Sequence, residues 1–313
     1  MPLALRAGRF PGGRRPPGNH PRGVVLALAV AALAAIAATA GCAGERPAQA
    51  VPPEAVLVLP DDGRLTALHA LPPINGYLST ANPVDRRITV AEQRLTVDCM
   101  ARQGLRYQPI APPADAAADS APMPFGLETL PTTAGDARET PAPEEQSERF
   151  GRALLGDDAH RITVRGRRTT VTRSGNGCIA EAQQRLLGDG RPRWVQVLVL
   201  LYEAQEDARA QLDGDRGFRD ANARWSACMR RHGMAYPHPM ALFDDLSGVA
   251  NLAADPRVRR DLACKAETGY LAAAYERLAA VQRQVLDRDP SVVRDWTALR
   301  NHQSAVARTV PVR

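Results

Sequence analysis

The sequence predicts a mainly α-helical body stapled by disulfides, with one small β-hairpin, an internal pseudo-repeat and disordered stretches at the N-terminus and in one internal loop. Three observations carry this prediction: apolar residues recurring three and four apart, a cysteine-centred motif that occurs twice, and one stretch of alternating β-branched residues around a glycine.

The first 22 residues hold five arginines (Arg6, Arg9, Arg14, Arg15 and Arg22) and no acid. Gly23 to Gly41 is then an uninterrupted small and apolar run ending in Thr39-Ala40-Gly41-Cys42. A charged n-region, an apolar h-region and a small-residue cleavage site predict that residues 1–41 are a signal peptide. The end of the run resembles the lipobox of secreted bacterial lipoproteins, which implies cleavage before Cys42 and lipidation of its thiol. Small residues there fit the peptidase, and the thiol is the nucleophile that takes the diacylglycerol. Thr39 departs from the leucine usual at that place. The other reading is an uncleaved anchor, since 19 apolar residues nearly reach the ~20 that span a bilayer. The run is rich in weakly apolar alanine and ends in Gly-Cys, which favours the lipobox. The expected location is the extracellular face of the cell membrane, with the membrane as partner through Cys42.

The chain has 40 Lys+Arg against 34 Asp+Glu, a formal charge of +6. Removing residues 1–41 takes five basic residues and no acid, leaving 35 against 34, or +1, on the remaining 272 residues. The basic character therefore belongs largely to the leader. A nucleic-acid partner would require a clustered basic surface. Only short runs occur, Arg165-Gly-Arg-Arg168 and Arg257-Val-Arg-Arg260, and solvated faces account for them, so no nucleic acid is expected. All basic residues but Lys265 are arginine.

The remaining residues suffice for one large or two small domains. Residues 42–73 open Pro/Ala-rich and read as a tether, with Val56–Leu59 as a candidate strand. Residues 74–188 read as a first module and 189–313 as a second. Within the first, 111–148 is rich in Pro, Ala, Thr, Asp and Glu with almost no aliphatic periodicity, so it reads as a disordered insertion. Thr89-Val-Ala-Glu92 has capping-box form, Leu95 and Cys99 share a helical face, and Gly104 suits the left-handed position after a helix. Arg161–Val164 and Thr169–Thr172 flank Arg165-Gly-Arg-Arg168 as a hairpin. A helix follows Ser174-Gly-Asn-Gly177. From Trp194 the chain is helical, with Trp194, Val197, Leu198 and Leu201 on one face and Leu271, Tyr275, Leu278 and Val285 on another. A helix runs from about Arg216 to His232 and stops at Gly233; Asp255-Pro256 starts another, which places Cys264 in an early turn as Cys178 is in its own, and Asp289-Pro290 starts the last.

With Cys42 assigned to lipid, Cys99, Cys178, Cys228 and Cys264 remain. An even number in an exported chain argues for two disulfides, and four cysteines allow three connectivities. The repeat selects among them. Cys99-Met-Ala-Arg-Gln-Gly-Leu-Arg-Tyr107 matches Cys228-Met-Arg-Arg-His-Gly-Met-Ala-Tyr236 at Cys, Met, Arg, Gly and Tyr, and Cys178-Ile-Ala-Glu181 matches Cys264-Lys-Ala-Glu267. One bond per half follows, Cys99–Cys178 and Cys228–Cys264. Loop closure makes these worth about 4–5 and 3.5–4 kcal/mol. Arg102 and Arg231 lie three residues after the first cysteine of each half, and Glu181 and Glu267 three after the second. They would face one another across each bond if the bonded helices ran parallel.

The region from about Pro73 resembles an uncharacterised group of actinobacterial lipoproteins. The residues that carry this are Cys99-Met100, Gly104 and Tyr107, and Gly177-Cys178-Ile-Ala-Glu181-Ala182; the second copy has Ala263 in place of glycine before Cys264, so its helix is expected to continue upstream. The resemblance implies no activity.

No Gly-x-Ser-x-Gly elbow, His-Glu-x-x-His motif, P-loop or dinucleotide fingerprint occurs in the sequence. The expectation is therefore no catalytic residue, no cofactor and no metal. The nearest metal-like group, His232, His238, Asp244 and Asp245, matches no standard spacing, and His160 beside Asp157 and Asp158 is weaker. Two functions remain: a surface lipoprotein that binds an envelope protein or small-molecule ligand, and an envelope hydrolase with a site assembled from distant residues. For the first, Tyr107, Tyr236, Glu181 and Glu267, with Trp194 and Trp225, are candidates to line a groove, though core packing is the default reading of each aromatic residue.

Overall fold

The computed structural model describes residues 62–78, 83–109, 123–131 and 147–311, all within one compact unit that spans Glu54–Arg313. Cys42, the leader, the Val56–Leu59 segment and most of the expected insertion lie outside the described residues. Helices α1 (Asp62–Ala70), α2 (Pro73–Leu78), α3 (Pro83–Arg102) and α4 (Glu148–Leu155) precede an antiparallel hairpin, β1 (Arg161–Arg165) and β2 (Thr170–Ser174). After it come α5 (Cys178–Leu187), α6 (Arg191–Leu212), α7 (Arg216–Arg231), α8 (Pro239–Asp245), α9 (Pro256–Thr268), α10 (Tyr270–Asp287) and α11 (Pro290–Ala307).

The mainly helical body, the hairpin and both cysteine pairs are as the sequence predicts. The hairpin pairs Val164 with Val171 and Thr163 with Thr172, so alternate residues take opposite faces. Val164, Ile162 and Val171 pack on Val195 and Val199 of α6, while the two threonine hydroxyls bond each other at 3.0 Å on the outer face. The main core gathers α6, α7, α9 and α10 around Trp225, Tyr270 and Tyr275. Of the face read on α6, Val197 and Leu201 are buried and Trp194 and Leu198 only partly so, whereas Leu271, Tyr275, Leu278 and Val285 on α10 are all buried.

Several expectations are corrected. The tether assigned to 42–73 does not extend that far, because Asp62–Ala70 is helical and Leu65 and Ile74 enter the main core. The insertion assigned to 111–148 contains a packed segment: Phe125 and Leu127 are core residues and Glu128 is fully buried. Its composition is polar only on average, and Met123-Pro-Phe-Gly-Leu-Glu128 is an apolar island within it. Thr89-Val-Ala-Glu92 is no helix start, since α3 already runs from Pro83 with Asp85 in its first turn. Ile88, Ala91 and Leu95 continue one buried face through it. Cys264 lies in the third turn of α9 rather than an early one, since that helix begins at Pro256 with Asp255 as N-cap, consistent with Ala263 where the first copy has glycine.

Candidate functional site

The repeated motif is first of all a helix ending. In the first copy the amide of Gly104 bonds the carbonyl of Ala101 and that of Leu105 bonds Met100; in the second, Gly233 bonds Arg230 and Met234 bonds Met229, all at 3.0–3.1 Å. This is the Schellman pattern, which needs a left-handed residue after the helix and an apolar one next to it. Gly104 and Gly233 supply φ of 71° and 76°. The Met whose carbonyl closes each turn is fully buried. Cys-Met-x-Arg-x-Gly-(Leu/Met) is therefore read by backbone geometry.

Each ending forms a station with its disulfide. Cys99–Cys178 and Cys228–Cys264 have Cα separations of 5.5 and 5.7 Å. Arg102 pairs with Glu181 and Arg231 with Glu267, in half-exposed ion pairs. In the first half the helices run antiparallel, against the condition set from sequence: Gln183 of α5 donates to Glu92 of α3 at 3.1 Å, well before Cys99, and Ile88 and Leu95 share a cluster with Ala182 and Leu186. The ion pair forms all the same. Helical side chains lean toward their own N-terminus, so Arg102 leans back toward Cys99 and Glu181 back toward Cys178, and both reach the level of the bond. Glu181 Oε2 and Glu267 Oε2 each touch a sulfur, 3.4 Å from Cys99 Sγ and Cys228 Sγ. These are contacts only, because a disulfide sulfur has no proton to donate.

The other groove candidates stand apart. Tyr107 packs beside Phe150, the rings tilted by 57°, in the small cluster around the first disulfide. The Tyr236 hydroxyl donates to Asp245 at 2.7 Å, and that hydrogen bond to a carboxylate raises its pKa. Trp225 is fully buried, its Nε1 donating to Asp261 at 3.0 Å, and so lines no groove. Trp194 lies against the guanidinium of Arg300, which also pairs with the buried Asp85. His238 is the N-cap of α8, its Nδ1 accepting from the Ala241 amide, and is not gathered with Asp244 and Asp245 into a ligand set. His160 sits by Asp157 and Asn176, while the Ser174 hydroxyl donates to the Asp157 carbonyl, so these residues form no Ser-His pair.

Sequence reasoning missed the centre of polar chemistry. Glu128 accepts from the Tyr275 hydroxyl at 2.8 and 2.9 Å and lies 2.6 Å from His69 Nε2. Nearby, Lys265 Nζ donates to Asp261 Oδ2 at 2.8 Å and to the Leu127 carbonyl. Burial pushes Asp261 up and Lys265 down from their ordinary values, and their mutual attraction opposes both shifts. Burial, then the nearby charge of Glu128, raises Tyr275. One cue was present in the sequence: Lys265 is the lone lysine among 40 basic residues.

A cleft of about 460 Å³ opens beside the first disulfide, lined by Gln103, Glu148, Arg149, Arg152, Asn176 and Gly177 among others. Arg152 pairs with Glu148 and Arg149 donates to the Gln103 carbonyl at 2.9 Å. Comparison of the chain with known protein families, curated proteins and solved structures finds no match.

Proposed function

We propose that this chain is an exported lipoprotein, held by lipidated Cys42 at the extracellular face of the cell membrane, whose helical module binds an envelope protein or small-molecule ligand without catalysing a reaction. The observation that carries the compartment is the pair of disulfides, because such bonds persist in oxidising surroundings and are rare in the cytosol. Binding is supported by the cleft beside Cys99–Cys178, where Glu148 offsets Arg152 and the charge of Arg149 favours a ligand with negative charge. The actinobacterial resemblance agrees with this reading and adds no activity to it.

The test is intact mass and fractionation of the protein made in a lipoprotein-processing bacterium. A chain beginning at a diacylated Cys42 and found with membranes is expected, and Cys42→Ser should move it to the soluble fraction. An unmodified chain that remains soluble with Cys42 present would overturn the proposal.

A further inference from the structure

The two stations differ in one ligand-forming residue. Four positions after the first cysteine, on the same helical face, the first station carries Gln103 and the second His232. The sulfurs of Cys228 and Cys264 and a ring nitrogen of His232 all lie within 4.8 Å of one another. Glu267 Oε2 lies 3.4 Å from Cys228 Sγ but outside this group, its other oxygen paired with Arg231. We infer that reduction of Cys228–Cys264 converts the second station into a tetrahedral site for a zinc-class divalent cation, with Cys228, Cys264 and His232 as the protein ligands and the fourth position left to water. The first station does not become one. This inference is independent of the proposed binding role.

The donor set suits the ion. Zn²⁺ takes four sulfur, nitrogen and oxygen ligands, and two Zn–S bonds of about 2.3 Å at a tetrahedral angle hold their sulfurs roughly 3.8 Å apart. Side-chain rotation reaches that separation from Cα atoms 5.7 Å apart. The sulfurs are buried while His232, Glu267 and Arg231 meet solvent, so the ion enters from the surface and meets the soft donors last. At the first station Gln103 Nε2 lies 3.2 Å from Cys178 Sγ and 3.8 Å from Cys99 Sγ, and its amide offers a metal only a carbonyl oxygen, a donor suited to Mg²⁺ and Ca²⁺, where His232 offers an imidazole nitrogen.

The chemistry balances in two steps. A dithiol reductant delivers two electrons and two protons to the disulfide and becomes a disulfide itself; the cation then displaces the two thiol protons to solvent. A disulfide oxidant reverses this: it takes two electrons from the thiolates and two protons from solvent to become a dithiol, while the Cys228–Cys264 bond closes and the ion is released.

The test uses the full chain carrying Cys42→Ser, reduced anaerobically with dithiothreitol that is then removed, and titrated with Co²⁺ alone. One equivalent is expected to give tetrahedral d–d bands with thiolate charge transfer, bleached by Zn²⁺, and the oxidised chain should give none. Cys228→Ser should abolish the signal and Cys99→Ser should leave it. His232→Gln should weaken binding by at least the about 10–100-fold that loss of outer-shell partners costs. Gln103→His should add a second equivalent. If circular dichroism shows that the reduced chain has lost helix, the cation should restore it, since binding then couples to folding. Octahedral Co²⁺ without charge transfer, unchanged affinity in His232→Gln, binding that follows Cys99, or a reduced chain that neither binds nor refolds would each overturn the inference.

Discussion

Lys265 stands in the core with its ammonium shared between the Asp261 carboxylate and the Leu127 carbonyl. An ammonium has three N–H donors on a compact head, whereas a guanidinium would bring five donors in a rigid fork to a place with two acceptors. That explains why a chain otherwise committed to arginine uses lysine once, and why it does so here. Lys265→Met should cost about 3–5 kcal/mol, because it strands Asp261 in the core with only the Trp225 N–H. Lys265→Arg should also destabilise despite keeping the charge. The Lys265→Met, Asp261→Leu double variant should lose less than the sum of the single losses, measured as a cycle by urea unfolding. Additive losses, or a Lys265→Met change below about 1 kcal/mol, would show the pair to be energetically idle. The sequence marks Lys265 as unusual but does not reveal its partners, since Asp261 is an ordinary helical neighbour and Leu127 lies 138 positions away.

Among the elements, the hairpin was legible and its anchor was not. Alternating Ile162, Val164 and Val171 fix which face is buried, so pattern alone reads the strands. The anchor is Glu203 of α6, whose carboxylate accepts the backbone amides of Arg167, Arg168 and Thr169 at 2.8, 2.8 and 2.6 Å. Backbone donors leave no sequence signature, and a Cβ on Gly166 would come within 2.8 Å of the same carboxylate, so the glycine is there for close approach. Arg167 and Arg168 then turn to Asp207, making a paired surface of a run that reads as basic. Burial works against ionisation of Glu203, but the three amide bonds outweigh it and hold the carboxyl below its usual range. With the folded value depressed, the stability it contributes is fully present above the unfolded value, about 4.3, and is lost as pH falls through the folded value. Glu203→Gln should cost about 1.5–3 kcal/mol at neutral pH and flatten this part of the acid dependence, as chemical unfolding at a series of pH values would register. A variant as acid-sensitive as the parent would rule Glu203 out as the titrating anchor. The same contrast holds at the stations: the glycine endings were readable from Gly104 and Gly233, whereas the antiparallel sense of α3 and α5 emerged only from contacts remote from the motif, such as Gln183 on Glu92.

At the scale of the whole molecule, the two expected modules share one core, and the segment that joins them energetically is the one composition marks as disordered. Residues 123–131 lie in a stretch dominated by Pro, Ala, Thr and acids, and averaging over it conceals Phe125 and Leu127. Phe125 meets Tyr275, Phe218 and Tyr270 at ring-centroid distances of 5.0, 5.7 and 6.2 Å. Its neighbour Glu128 ties Tyr275 of α10 to His69 of α1. A segment held only by its flanks would leave global stability unchanged when truncated, whereas one that completes the core must lower it. Phe125→Ala should therefore cost about 3–5 kcal/mol, the range for deleting a buried phenyl ring, and Met123→Ala, at an exposed position two residues earlier, should stay within about 0.5 kcal/mol. Glu128→Gln added to Phe125→Ala should cost less than it does alone, because both changes release the same segment. The comparison needs one urea titration for each variant, followed by helical circular dichroism and tryptophan fluorescence. A Phe125→Ala loss no larger than that of Met123→Ala would mean that the helices form the core without this segment, and that the polar network around Glu128 decorates the fold instead of closing it.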